Sequence, residues 1–281
     1  MRIALISDIH GNNVALDAVL SECEALGVDQ FWFLGDYVAI GPSPDAALRR
    51  ITSIPHAVFV RGNTDRYVVT REGPPPSLET VRANPDLIPT YAAIAAGFSW
   101  TRGFVVATGW FDWLADLPLQ HRYVAPNGVR VLAVHASPGA DDGEGIHPGR
   151  SNDDIARLLS GGEADLVFVG HTHEALVRQV GETLVVNVGC VSNPRGADAR
   201  ASYVVMEVGE TEVSFTHRRV AYDYGAFARA VESSRHPSVD FIMSHQRGEQ
   251  LCRSPHADHV PLQLGTTTRI TAPPFAHRDN P

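Results

Sequence analysis

The feature that most constrains this chain is a recurring pair: a short apolar run suited to a buried β-strand, followed at once by a tight polar cluster. The pair occurs five times, with residues 2–7 before Asp8-Ile9-His10, 31–34 before Gly35-Asp36, 57–60 before Gly62-Asn63, 130–134 before His135, and 166–169 before Gly170-His171-Thr172-His173. Runs this short and this rich in Val, Leu, Ile and Phe read as strands. After the first cluster, Leu16, Val19, Leu20, Cys23 and Leu26 recur at helical spacing, with Asn12 or Asn13 to cap the helix and Gly27 to stop it. Ser43 and Pro44 open a second helix over 45–51. Strands alternating with helices predict a parallel sheet covered on at least one face, and in such sheets sites form beyond the carboxyl ends of the strands. All five clusters fall there.

The later chain differs. Pro74, Pro75 and Pro76 break a stretch that then turns rich in Ala and Trp at helical spacing, so 66–118 reads as a helical insertion. Strands at 183–188, 202–208 and 212–217 are separated by short turns, as in antiparallel pairing, and Ser151 with Asp154 forms a capping box for a helix ending near 159. A βαβ half followed by an antiparallel half predicts two packed sheets with helices outside. Residues 1–220 form this core, 221–250 a helical extension, and 251–281, rich in Pro, Thr and His, a flexible or draped tail.

The formal charge is −9, from 32 acidic and 23 basic residues in 281. That excludes nonspecific binding to nucleic-acid backbone or an anionic membrane, and any phosphate handled needs a local positive charge. Cys23, Cys190 and Cys252 are too few and scattered for a disulfide framework, and the first apolar run is too short for a signal segment or membrane span. A cytoplasmic chain is predicted. Cys23 lies on an apolar helix face and reads as core, as do Trp100, Trp110 and Trp113. His256 and His259 read as part of a solvated tail, and Asp141, Asp142 and Glu144 as a solvated turn.

The five clusters offer carboxylate, imidazole and amide, without thiolate. That mixture suits Mn, Fe or Zn better than Mg or Ca. Residues at i and i+2 of extended backbone point the same way, so Asp8 with His10, and His171 with His173, present two ligands each to one point. Seven side chains exceed the needs of one tetrahedral ion, but they fit two divalent ions about 3.5–4 Å apart if one carboxylate bridges. Asp36 is the natural bridge, and Mn is the favoured metal.

The order Asp-x-His, Gly-Asp, Gly-Asn, His, Gly-His-x-His resembles the calcineurin-like metallophosphoesterase superfamily, in particular small bacterial and archaeal phosphodiesterases related to diadenosine tetraphosphatase. His135-Ala136-Ser137-Pro138, Asn193-Pro194-Arg195 and Arg200-Ala201-Ser202-Tyr203 add to the likeness, which spans residues 1–250. The resemblance implies an α/β four-layer αββα sandwich of two mixed sheets. It implies that Asp8, His10, Asp36 and His173 hold one ion, and that Asp36, Asn63, His135 and His171 hold the other. Catalysis would centre on Asp36, Asn63 and His135, with a metal-bridging hydroxide attacking phosphorus in line and no covalent phosphoenzyme. Asn63 and Arg195 would contact a small phosphorylated or nucleotide-like substrate.

One position departs from the pattern. Many superfamily phosphatases carry a histidine after the metal-binding asparagine, to protonate the leaving oxygen; here the sequence reads Gly62-Asn63-Thr64-Asp65. A threonine hydroxyl is too weak an acid, and general acid catalysis is worth roughly 10²–10⁴-fold. Alkyl monoesters such as phosphoserine suffer most, which favours a phosphodiesterase over the alternative, a phosphomonoesterase or protein phosphatase. Asp65, with no histidine to orient, is free to bond loop backbone N–H groups. A non-catalytic scaffold of the same fold is the rival from another class, but scaffolds tend to erode the ligand set and all seven ligands are present here.

Overall fold

In β1 (Arg2–Ile6), Ile3 and Leu5 face one side and Ala4 and Ile6 the other, and all four are fully buried. A strand apolar on both faces needs cover on both, and this one has it. The computed structural model describes residues 1–195, 198–247 and 265–271. With strands numbered in chain order, the first sheet holds β1, β2 (Gln30–Phe33) and β3 (Val58–Phe59), all parallel. It continues antiparallel through β9 (Ala201–Val208), β10 (Glu212–Val220) and β11 (Thr267–Thr271), in the order β11-β10-β9-β1-β2-β3.

The second sheet has parallel β5 (Arg130–Val134), β6 (Leu166–Val169) and β8 (Thr183–Asn187) at its centre, flanked by antiparallel β4 (Gln120–Val124) and β7 (Leu176–Val180). Both sheets are mixed, as predicted. Leu5, Trp32, Phe168, Val204 and Phe215 fill the space between them. Outside the first sheet lie α1 (Asn13–Ala25), α2 (Pro44–Thr52) and α8 (Tyr224–Ser234), which bury Leu16, Val19, Leu48, Ile51 and Phe227 against Ala4, Ile6 and Phe33. Outside the second, α7 (Asn152–Leu158) packs Ile155 on Val134, Val167 and Val185. The result is four layers.

The local signals act through identifiable bonds. Asn12 caps α1 by accepting from Ala15 N at 3.0 Å, and Gly27, in the left-handed region at φ 65°, ends it. Ser151 accepts from Asp154 N at 3.1 Å, and the Asp154 carboxylate turns back on Ser151, taking its hydroxyl at 2.6 Å and facing its backbone N–H, as the predicted capping box requires.

The edge strands, the helical extension and the tail differ from the sequence reading. β4 and β7 are edge strands whose sequences, QHRYV and LVRQV, mix charge into the apolar pattern, a common property of edges and the reason periodicity misses them. The helical extension is two helices, α8 and α9 (Val239–Gln246), broken where Arg235 turns to φ 55° ahead of Pro237. The predicted tail contributes β11, which pairs with β10 and packs Ile270 against the inter-sheet core. The remainder of that tail, with Cys252, His256 and His259, lies outside the described residues.

Between β3 and β4 the chain forms α3 (Asn63–Thr70), α4 (Leu78–Ala83), a 3₁₀ turn (Pro85–Leu87), α5 (Ile88–Ala107) and α6 (Phe111–Ala115), so the stretch 66–118 is helical as expected. Trp110 and Trp113 pack on the helical core, and Trp110 Nε1 donates to Asp45 at 2.8 Å. Among the described residues, no helix is long and apolar enough to cross a membrane.

His217 gives the fold an acid limb. It sits buried on β10, donates from Nε2 to the Asn187 carbonyl at 2.8 Å, and burial, aided by the nearby Arg219 charge, pushes its imidazole down to about 4 despite that bond. Between pH 4 and 6.5 the unfolded chain binds this proton more readily than the folded one, so stability present above 6.5 is lost as pH falls. His217→Gln keeps an N–H donor without the titration. The loss of stability between pH 7 and pH 5, measured by urea unfolding, is expected to shrink by about 2 kcal/mol.

Candidate metal centre

The five polar clusters meet beyond the carboxyl ends of β1, β2, β3, β5 and β6. The means differs from strand alternation: β1 stops at Ile6 and β6 at Val169, and the ligand pairs sit on the loops that follow. Asp8, His10, Asp36, His171 and His173 all adopt left-handed backbone, with φ of 58°, 48°, 58°, 68° and 62°. Each such residue costs on the order of 1–3 kcal/mol and persists only where its surroundings impose it. The imposing bonds are Asp8 N to Gly35 O at 3.1 Å, His10 N to Asp36 O at 2.9 Å and Gly170 N to His135 O at 2.8 Å. At Gly170 the chains approach so closely that a Cβ would stand 2.0 Å from Ser7 Oγ.

All seven predicted ligands come together. Asp8 Oδ1 is 3.2 Å from His173 Nε2, which is 3.2 Å from His10 Nε2. Asp36 reaches both ways, with Oδ2 3.7 Å from His10 Nε2 and Oδ1 3.5 Å from His135 Nε2. Asn63 Oδ1 lies 3.1 Å from His135 Nε2 and 3.0 Å from His171 Nδ1. Asp8, His10 and His173 form one group of mutually close ligand atoms, and Asp8, Asp36 and His135 another.

The far nitrogen of each imidazole is committed to a backbone carbonyl: His10 Nδ1 to Ala39 at 2.8 Å, His135 Nδ1 to Leu34 at 2.6 Å, His173 Nδ1 to Asn193 at 2.7 Å and His171 Nε2 to Gly143 at 2.8 Å. Those bonds turn a lone pair from each ring toward the cluster: Nε2 from three rings, Nδ1 from His171. Lone pairs facing carboxylates and one another need positive charge between them, and Asp8 Oδ1 is buried without a hydrogen bond. The donor set fits divalent cations.

Titration behaviour follows the same geometry. Burial raises the Asp36 carboxyl, but His135 at its side, then His10 and His171, hold it well below the usual carboxylate range. Burial likewise raises Asp8 and is outweighed by His173. In turn, burial lowers His135 and His173, but Asp36 brings His135 up to about 9 and Asp8 raises His173 well above the free value. Burial leaves His10 and His171 lowered. Protons therefore compete with cations for these nitrogens, and metal affinity falls in acid.

Supporting residues hold the loops. Asp65 accepts from Asp36 N, Tyr37 N and Gly62 N at 2.8, 2.9 and 3.0 Å, the loop-fixing role its sequence position suggests. Two features escape the sequence. Asn187 ends β8 with Nδ2 donating to Ile146 O, Gly170 O and Thr172 Oγ1, which fixes the loop of His171 and His173; an asparagine closing an apolar strand was its only signal. The acidic loop after His135 is no simple solvated turn: Asp141 is buried against Arg61 at 2.7 Å and Arg66 at 3.0 Å. Asp142 binds Arg66, Tyr67 and Gly143 N, so the Gly143 carbonyl that orients His171 is anchored to α3. Glu144 is exposed, as predicted.

A cavity of about 1000 Å³ opens over the cluster, lined by His10, Asp36, Asn63, Thr64, His171 and His173 together with Arg195 at its exposed rim. Thr64 N donates to Asp36 Oδ1 at 2.9 Å, and its buried hydroxyl has no partner.

Two mixed sheets with carboxylates, imidazoles and an amide gathered at their strand ends define the class, an αββα fold with a candidate metal centre. The chain belongs to the calcineurin-like phosphoesterase superfamily, whose model matches residues 1–211. The family is one of metal-dependent phosphoesterases. The chain is similar to the uncharacterized protein MJ0912 of Methanocaldococcus jannaschii, 30% identical over an alignment of 253 positions that covers 84% of this chain and 93% of that one. Among solved structures it is similar to a metallophosphoesterase from Sphaerobacter thermophilus, with 26% identity, a TM-score of 0.66, and 88% and 99% of the two chains covered. The hypothetical protein PH1004 from Pyrococcus horikoshii shares the fold, with a TM-score of 0.70 at 18% identity over 87% and 97% of the chains.

Proposed function

We propose that the chain is a two-ion phosphoesterase that hydrolyses a phosphodiester or nucleotide-like substrate. The observation that carries the reading is the continuous run of donors from Asp8 through Asp36 to His171, with Asp36 reaching toward both His10 and His135. Asp8, His10, Asp36 and His173 would hold one ion, and Asp36, Asn63, His135 and His171 the other, with Mn proposed ahead of Fe or Zn. Bound there, divalent ions polarise phosphoryl oxygens and favour loss of a proton from water near neutral pH. The chain's own part is to aim four imidazole lone pairs and to bury the carboxylates. The Arg195 fork at the rim suits an anionic phosphoryl group.

Thr64 sets the leaving-group preference. Its hydroxyl does not protonate a departing alkoxide, so esters with a stabilised leaving group turn over better than alkyl monoesters. Protein stripped with chelator and reloaded with Mn²⁺ is expected to hydrolyse an aryl phosphodiester, and to prefer it over an alkyl monoester by about 10²-fold or more. Full activity in chelator overturns the reading. Faster turnover of phosphopeptides than of any diester supports a protein phosphatase instead, and less than one ion per chain at saturation supports a scaffold.

A further inference from the structure

The cavity over the ligand cluster, about 1000 Å³, is far larger than a phosphate group needs and matches the volume of sites that enclose whole organic ligands. Its floor is polar. One part of its wall is not: Ile40, Ile94, Phe98, Val239 and Phe241 line the same cavity. Ile94 and Phe98 lie one turn apart on α5, so they share a helix face, and Val239 and Phe241 come from α9. The family match ends at residue 211, so the α9 part of this wall lies beyond it.

Two observations set this shelf apart from ordinary core. Phe241 remains 49% exposed, and Ile40, Ile94 and Phe98 are only half-buried, so apolar surface is left open at a cost in free energy. Ile40 also has φ 79°, a conformation that a β-branched residue adopts only under constraint. The constraint is visible: His10 Nδ1 donates to Ala39 O and Gly11 N to Tyr37 O, both at 2.8 Å, which ties the loop of Asp36 to the loop of His10. The shelf is thereby fixed relative to the cluster at Ile40. It is fixed at Phe98 as well, whose ring packs edge-on against Tyr67 at 5.7 Å, one helical turn from Asn63 on α3. Thr90 and Asp240 give the cavity polar edges beside the apolar surface.

We infer that this shelf receives a planar aromatic or heteroaromatic substituent of the phosphate ester, so the substrate class is an aryl or nucleoside ester rather than a phosphorylated polyol or peptide. The inference rests on the phosphoesterase reading and narrows it. Rings offer flat faces to Phe98 and Phe241, and polar atoms at a ring edge meet the exposed Thr90 and Asp240, whereas an aliphatic chain offers neither a flat face nor an edge for those groups to bond.

The test compares ligands that cannot be hydrolysed at carbon. Calorimetric titration of Mn²⁺-loaded protein with methylphosphonate and phenylphosphonate keeps the dianionic head constant and changes only the substituent. Phenylphosphonate is expected to bind about tenfold tighter or more. Phe241→Ala, at a half-exposed position, and Phe98→Leu, which keeps an apolar side chain, are expected to bring that ratio to within about twofold while methylphosphonate affinity holds. Equal affinities in the unsubstituted protein, or variants that weaken both ligands alike, overturn the shelf and leave the phosphoesterase reading intact. Failure of both phosphonates to bind the metal-loaded protein overturns the two together. A nucleoside 5′-phosphonate binding tighter still than phenylphosphonate assigns the shelf to a nucleobase.

Discussion

Asp36→Ala is expected to lower kcat for metal-dependent phosphate-ester hydrolysis by roughly 10³-fold or more, since its two carboxylate oxygens face imidazoles in opposite halves of the cluster. It is 2% exposed, with Oδ2 toward His10 and Oδ1 toward His135, and Oδ1 also accepts from Thr64 N. Truncation removes a negative charge that His135 and His10 now face and leaves the Thr64 N–H buried without its acceptor. Two readouts separate chemistry from collapse. Metal analysis is expected to fall from two ions per chain to one or none, while the thermal melt still shows a single cooperative transition. Retention of both ions and of the rate would show that Asp36 is not the bridge. Loss of the fold itself would not be shared by Asp36→Asn, which keeps the shape and one acceptor oxygen, whereas loss of metal through the missing charge would be, so the two variants together distinguish the causes.

The clustering of the seven candidate residues was legible because each lies just past an apolar strand, and strand ends in an α/β sheet converge whatever the loops do. Asp8, His10, Asp36, Asn63, His135, His171 and His173 all lie in the cluster for that reason. Local chemistry was legible too: Asn12 caps α1, and Ser43 with Pro44 opens α2. What stayed hidden depends on contacts far apart in the chain. β11 is a strand because β10, some fifty residues earlier by the Thr216 to Thr267 pairing, offers it an edge; TTRIT has too little apolar pattern to announce itself. Asp141 looked like a loop acid until Arg61 and Arg66, 80 and 75 residues away, closed on it. The left-handed turns at the ligands were likewise unreadable, since Asp and His carry no signal for positive φ comparable to glycine's. Nor does α9 advertise that its Phe241 will face a cavity whose floor is built from residues 10 to 173.

Gly62→Ala is expected to cost about 3 kcal/mol or more of stability and to weaken metal binding, although the substitution adds a single methyl group. Gly62 has φ −94°, so alanine is not strained by its backbone there; the difficulty is purely one of space. An added Cβ would stand 2.1 Å from Asp36 Oδ1 and 2.2 Å from Asp36 N. One of those atoms is backbone and the other belongs to the buried Asp36 carboxylate, so neither swings aside as the end of a flexible side chain does. Relief requires β3 and its loop to part from β2, which stretches the bonds from Asp36 N and Gly62 N to the shared Asp65 carboxylate. Asn63, the next residue, then moves away from His135 and His171. Gly73→Ala is the matched control, because nothing lies within 4 Å of its added Cβ. In a chain of this size the Gly62 variant is expected to melt roughly 5–10 °C lower, with Gly73→Ala within about 1 °C of the parent. Mn²⁺ affinity, followed by calorimetry below the melting transition, is expected to fall only for Gly62→Ala. Equal melting temperatures for the two variants would mean that β2 and β3 do not approach each other as closely as the left-handed turn at Asp36 requires.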